Sequence, residues 1–293
     1  MPGRAARIEA GERLSIMSIS VAVPCYNGAA YVGAVIESLL DQTHPAGEIL
    51  VIDDGSTDDS VAIVRRYPVR LIQHAGNKGL AHARNTALAE ATGDILIFVD
   101  VDALASPQLI ATLLSGYDRP EVAGVGGQGI EANIQTLADR WRQAHAVQGH
   151  GARARDVEHL FGLCMSYRVA ALRQVGGFDP AFRTNAEDVD VGLRLNAAGY
   201  CLRYLPQAQV YHQRQDSEES LLRAMSAWYA AGYRAKRLNR ARPWTLFAGT
   251  LRRLLADPLS DLLLARDARL ARLSWRIGWI KLRALNQARQ SFS

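Results

Sequence analysis

The stretch GDILIFVDVDALASP, Gly93 to Pro107, runs a block of large apolar residues into two aspartates spaced one residue apart, Asp100 and Asp102. A strand such as Ile95 to Val99, apolar at every position, belongs in a parallel sheet covered by helices on both faces. The carboxyl ends of such strands open onto the crevice where these sheets bind ligands. On extended chain, residues i and i+2 project to one side, so both carboxylates face the same edge. Two hard oxygen donors so placed suit a divalent cation that also holds phosphate. The ordinary alternative is that an aspartate caps the following helix, but Ser106 and Pro107 already read as an N-cap and a first-turn proline.

Upstream of this strand the chain alternates short apolar runs with helix-like segments: SISVAVPCYN, GAAYVGAVIESLLDQT, EILVIDDGS, DDSVAIVRRY, VRLIQH, LAHARNTALAEATG and DILIFVD. That is β-α-β-α-β-α-β, an α/β class with a mostly parallel sheet flanked by helices and right-handed crossovers. Each major run ends in polar residues: Tyr26 and Asn27 after Pro24, then Asp53 and Asp54, then Asp100 and Asp102. Three strand ends therefore offer ligands to one edge. Downstream, a Gly-rich strand in VAGVGGQGIE, a helix near IQTLADRWRQAHAVQ and a strand in HLFGLCMSYR are expected. A helix capped by Asn185 and ended by Gly199 follows, with Glu187 and Asp188 in its first turn, then a strand through LRYLPQAQVYH. From Ser217 onward the chain reads as helices.

At 293 residues, with 48% hydrophobic and 22% charged residues, the chain is long enough for a substantial core and ordinary for a globular protein. Cys25, Cys164 and Cys201 are too few and too scattered for a disulfide framework or a zinc site, which points to a reducing, cytoplasmic setting. No apolar run is long enough to cross a bilayer, and residues 1–17 read as a flexible leader without the core of a signal peptide. Charge is uneven: from Ala241 onward ten Lys or Arg face three Asp, a surplus of seven, which leaves the first 240 residues at 5 − 7 = −2. A basic tail on a slightly acidic body argues against nucleic acid as a partner. In ARLARLSWRIGWIKLRALNQAR a helical projection puts Arg269, Arg272, Arg276 and Arg283 in one narrow arc. Leu270, Leu273, Ile277 and Ile280 fall on one side of it and Trp275, Trp279 and Leu282 on the other. One apolar face can serve the catalytic domain and the other a membrane interface, giving a peripheral position at the inner face of the membrane.

The ordered set VAVPCYNG, VIDDGSTDDS, NKGLAHARNTAL, FVDVD, VGGFD, NAEDVDVGLRL and VYHQR resembles the landmarks of glycosyltransferase family 2, inverting enzymes with the GT-A fold that use a nucleotide-sugar donor. The resemblance covers roughly residues 18 to 215. It implies a GT-A catalytic domain over 18–216, with a nucleotide-sugar half at about 18–103 and an acceptor half at about 104–216, followed by a helical extension over 217–293. It further implies Mn2+ or Mg2+ held by Asp102 and His212, with Asp100 on the ribose or the metal's water shell. Asp54 would accept from the nucleobase, and Tyr26, Asn27, Asp53 and Pro24 would shape the donor site. Arg84 would reach the diphosphate. Asp188 would be the base that deprotonates the acceptor hydroxyl, with Glu187 raising its pKa and orienting the acceptor. The acceptor would be a glycan or a lipid-linked molecule in cell-surface glycan or polysaccharide synthesis. Two alternatives stand beside this reading: a sugar nucleotidyltransferase, and a membrane-surface protein that binds nucleotide-sugar without turnover.

Overall fold

The strongest packing signal in the chain, the fully apolar run Ile95–Val99, becomes the interior strand of a sheet. In the computed structural model, which describes residues 17–238 and 243–290, its five side chains are all completely buried. Removing each from water contributes about 1.5–3 kcal/mol, enough to fix this strand at the centre. The leader expected over 1–17 lies outside the described residues apart from Met17.

The expected alternation is realised as β1 (Ile19–Cys25), α1 (Val32–Leu40), β2 (Glu48–Asp53), α2 (Ser60–Val64), β3 (Arg70–Gln73), α3 (Leu80–Glu90) and β4 (Ile95–Val99). These strands run parallel in the order β3-β2-β1-β4, with Val21 opposite both Ile49 and Ile97. All carboxyl ends therefore point to one edge. Then come β5 (Ala103–Ala105), α4 (Leu109–Ser115), β6 (Val122–Glu131), α5 (Leu137–His145), β7 (Arg155–Val157), β8 (Cys164–Arg168), α6 (Val169–Gln174), α7 (Glu187–Ala197) and β9 (Cys201–His212). β8 joins β4 antiparallel, and the sheet continues through β6 and β9 to β5, with β7 on β9. At Gly127 the backbones of β6 and β9 come so close that a Cβ would lie 2.0 Å from the Ala208 carbonyl oxygen. One apolar cluster, built on Val21, Val51 and Ile97, packs against α1 and α4. A second, built on Leu50, Leu96 and Phe98, packs against α3, α6 and α7.

The last elements are α8 (Glu218–Leu238), α9 (Pro243–Leu263) and α10 (Ala268–Gln290). The chain divides into two compact units, residues 1–130 with 148–213, and 131–147 with 214–293. Segment 131–147, which the sequence reading kept within the acceptor half, thus belongs with the C-terminal helices. Its helix α5 buries Trp141 among Leu221, Leu270, Leu273 and Ile277, and the Trp141 indole N–H donates to Ser274 Oγ at 2.8 Å. Arg142 is the polar centre of this unit. Its guanidinium pairs with Glu131, Asp139 and Asp216, a charge surrounded by opposite charges where it is 5% exposed.

Candidate functional site

Asp100, Val101 and Asp102 form the turn that carries the chain from the end of β4 into β5. β5 pairs with the end of β9 so that Ala103 lies opposite His212, and this register sets Asp102 Oδ2 3.4 Å from His212 Nε2. The Asp102 carbonyl also accepts from the Gln213 N–H at 2.8 Å, locking the two strand ends together. A carboxylate and an imidazole thus meet at the sheet edge. The cap assigned to Ser106 is not found. α4 begins later, at Leu109, because β5 takes up the residues that follow the aspartates.

Beside this edge a cleft of about 280 Å³ is lined by Pro24, Tyr26, Asp54, Asp100 and Asp102 among others. Tyr26 is exposed and available to lie along a ring. Cys25 also faces the cleft, but burial pushes its thiol up to about 11, so it is no nucleophile at neutral pH. Asn27 and Asp53 are placed differently from expectation. Asn27 adopts φ 50° and its amide oxygen accepts from the Thr57 N–H at 2.8 Å, while Asp53 is buried and accepts from the Ser56 N–H. Asn27 fastens the turn after β2 to the end of β1, Asp53 braces that turn from within, and neither lines the cleft.

Asp54 does line it, yet its carboxylate is heavily used by the protein. Oδ1 accepts from His74 Nδ1 at 2.7 Å and from the Lys78 N–H at 3.0 Å, and Oδ2 accepts from the Gly79 N–H at 2.7 Å and again from Lys78. A carboxylate offers about four lone-pair directions, so a nucleobase would have to share an oxygen already engaged. The main work of Asp54 is to pin the loop 77–79 at the start of α3. That loop supplies Asn77 and Gly79 to the cleft, and Thr184 enters from the segment before α7. These three, together with His74, were not singled out from the sequence. Asn77, Gly79 and His74 sit inside quoted segments and Thr184 just before one, but none bears a charge at the cleft that would mark it.

Arg84, too, is placed differently from expectation. On α3 it points inward, fully buried between the rings of Phe98 and Phe178, each 5.8 Å from the guanidinium carbon. It donates to Asp100 Oδ1 at 2.9 Å, to the Gly162 carbonyl at 3.1 Å and to Glu187 Oε1, and it does not line the cleft. Burial opposes its charge, but Glu187 and Asp100 outweigh that and raise its pKa. Arg84 is thus engaged by carboxylates of the protein away from the cleft. Glu187 is correspondingly buried and turned toward Arg84. Burial pushes its own carboxyl up to about 7, against the pull of Arg84 and with Asp188 adding to the rise. Asp188, half-buried, accepts from the Gly162 N–H at 2.9 Å. Gly162 thereby joins the Arg84 cluster to Asp188. Asp190 and Arg194 form an i, i+4 ion pair at 2.7 Å on α7.

Among the described residues no cluster of three or more His, Cys, Asp or Glu closes around a metal. The pair Asp102 and His212 nevertheless fits a divalent ion in part: an oxygen and a nitrogen donor converge at an edge that borders an open cleft. With Asp100 also on that cleft, three candidate side chains share one edge.

A family model described as Glycosyl transferase family 2 matches residues 20–176. The putative glycosyltransferase EpsE of Bacillus subtilis is 30% identical over 207 residues, covering 68% of this chain and 74% of EpsE. An N-acetylglucosaminyl-diphospho-decaprenol L-rhamnosyltransferase of Mycobacterium tuberculosis is 30% identical over 236 residues, covering 68% of this chain and 77% of the relative. In fold the chain is similar to the mannosyltransferase PcManGT of Pyrobaculum calidifontis, solved with GDP-Man and Mn2+. The TM-score is 0.58 at 21% identity, with 97% of this chain and 83% of that one covered. With a GT-A sheet, the family's motifs in order and a match over more than half its length, the chain belongs to glycosyl transferase family 2 and is a glycosyltransferase.

Proposed function

We propose that this enzyme transfers a sugar from a nucleoside-diphosphate sugar to an acceptor hydroxyl with inversion, using a divalent cation, in the synthesis of a cell-surface glycan. The observation that carries the reading is the contact of His212 with Asp102 beside the cleft that Asp100 and Asp102 line, with Asp188 tied by Gly162 to the buried cluster that holds Asp100. The relatives and the fold neighbour support the donor class, since their names describe glycosyl, rhamnosyl and mannosyl transfer. Asp102 and His212 would hold the ion. An oxygen beside an imidazole favours Mn2+ over Mg2+, which prefers an all-oxygen shell. When bound, the ion supplies the positive charge that stabilises the departing nucleoside diphosphate.

The remaining steps belong to residues of the chain. Tyr26 and the 77–79 loop pinned by Asp54 form the donor side of the cleft. Asp188, oriented by the Gly162 N–H, accepts the proton of the acceptor hydroxyl as its oxygen bonds to the anomeric carbon and the bond to the diphosphate oxygen breaks. Of the two neighbouring carboxylates Asp188 is partly exposed and Glu187 buried against Arg84, which supports Asp188 as the base.

Thermal-shift measurement with a panel of nucleoside diphosphates, with and without manganese, tests the donor and metal claims together. The expected result is a manganese-dependent rise in Tm that Asp102→Ala abolishes while the protein stays folded. An undiminished rise in that variant removes Asp102 and His212 as the ion's holders. For the base, Asp188→Asn should keep the nucleotide-dependent shift and lower turnover on the order of a hundredfold or more. Parent-like turnover at saturating donor and acceptor would pass the role to another carboxylate.

A further inference from the structure

The hairpin of α9 and α10 carries an apolar surface that the fold leaves uncovered. The two helices run antiparallel, joined by residues 264–267. Ser274 Oγ donates to Asp261, the Asp267 N–H donates to the Asp261 carbonyl at 3.0 Å, and Gly278 lies against Leu254. Taking Leu254 as the point facing α10, a step of about 100° per residue puts Leu251, Leu255, Leu259, Leu262 and Leu263 within an arc from about 60° to 180°. Taking Gly278 as the facing point of α10, Trp275 and Trp279 fall at about 60° and 100°, and Arg269, Arg272, Arg276 and Arg283 from about 120° to 180°. Antiparallel helices turn in opposite senses seen from one end, so equal angles point to the same side. The leucine row and the tryptophan pair therefore share one face, and the arginines border it.

Exposure agrees with this geometry. Leu255, Leu259 and Leu263 are 59%, 55% and 63% exposed and both tryptophans are 44% exposed, while Leu254, Leu270, Leu273 and Ile277 on the opposite arcs are buried. Isolated exposed leucines are unremarkable, but a contiguous row of them marks an interaction surface.

We propose that this face docks onto the surface of an anionic lipid bilayer. Its rim is of one sign: Arg252, Arg266, Arg269, Arg272 and Arg283 are exposed and have no ion-pair partner among the described residues, and Arg276 pairs with Glu218 at 3.2 Å. The acidic residues of the hairpin are turned elsewhere, Asp261 buried against His145 and Ser274, Asp267 held by Arg140, and Asp257 half-buried beside His145. A second copy docked face to face would bring these arginine rims together, whereas anionic headgroups neutralise them. The tryptophans stand between the leucine row and the arginines, the position amphipathic rings take at a headgroup boundary. No helix among the described residues is long and apolar enough to cross a membrane, so the hairpin lies on the surface.

Flotation of the full chain with vesicles of phosphatidylcholine, with and without phosphatidylglycerol, tests this without reference to the reaction. Binding should appear with the anionic lipid and weaken in high salt. Leu255→Glu with Leu259→Glu should abolish it, and each of Arg269→Gln and Arg272→Gln should lower partitioning about fivefold. Tryptophan emission should shift to the blue on vesicles, and Trp275→Phe with Trp279→Phe should remove most of that shift. All variants should keep the parent's circular dichroism. Two results overturn the proposal: no flotation at any lipid composition, or a dimer in sedimentation that the leucine variants convert to monomer, which would give the face to a second copy.

Discussion

With its side chain fully buried, Arg84 donates at once to Asp100, Glu187 and the Gly162 carbonyl, so removing it leaves two carboxylates in a pocket walled by Phe98 and Phe178. Arg84→Met should lower unfolding free energy by about 3–5 kcal/mol in urea titration, the cost typical of breaking a buried ion pair from one side. Glu187 adds a pH signature. Its folded pKa, about 7, exceeds its ordinary value of 4.5, so the folded state binds the extra proton. The stability this proton contributes is complete below about 4.5 and is lost as pH rises through about 7. Melting across that window should show the loss in the parent protein and a flatter profile in Glu187→Gln. At this scale the sequence was legible where position follows from local pattern, as at Asp100 and Asp102, which follow a buried strand and line the cleft. It was not legible for the direction of Arg84, because whether an arginine on α3 faces solvent or the core is set by α7 and β8, distant in sequence.

The start of α7 places Ala186, the residue before Glu187, in the left-handed region at φ 69°, where the sequence reading had Asn185 as the cap. Asn185 instead donates to Thr184 Oγ1 at 2.9 Å, and no side chain caps the helix. A left-handed alanine costs about 1–2 kcal/mol, partly offset in any glycine replacement by about 0.5–1 kcal/mol of backbone entropy. Ala186→Gly should therefore be neutral to slightly stabilising in guanidinium unfolding, and Ala186→Val, branched at Cβ, clearly destabilising. Equal stability of the valine variant would show that the conformation is not required. The main elements, from β1 to α3 and on to β4, were readable from periodicity because each buries a full face. The three-residue strands β5 and β7 were not: they exist through pairing with β9, and a segment that short has no period of its own.

All five tryptophans, Trp141, Trp228, Trp244, Trp275 and Trp279, belong to the unit formed by 131–147 and 214–293, while the unit that contains the cleft has none. Each unit holds its own apolar core. Nucleotide with manganese should accordingly raise the melting midpoint seen by far-ultraviolet circular dichroism more than the midpoint seen by tryptophan emission, and coincident shifts would show that the two units melt as one. The pairing of Ala103 with His212 has a consequence for how the enzyme comes into being. His212 is made 110 residues after Asp102, and β5 has no partner until β9 exists. On the ribosome the chain can lay down its parallel strands early, yet the edge where Asp102 and His212 meet stays incomplete until most of the polypeptide has emerged, so a prematurely terminated product carries Asp102 without the imidazole that stands beside it.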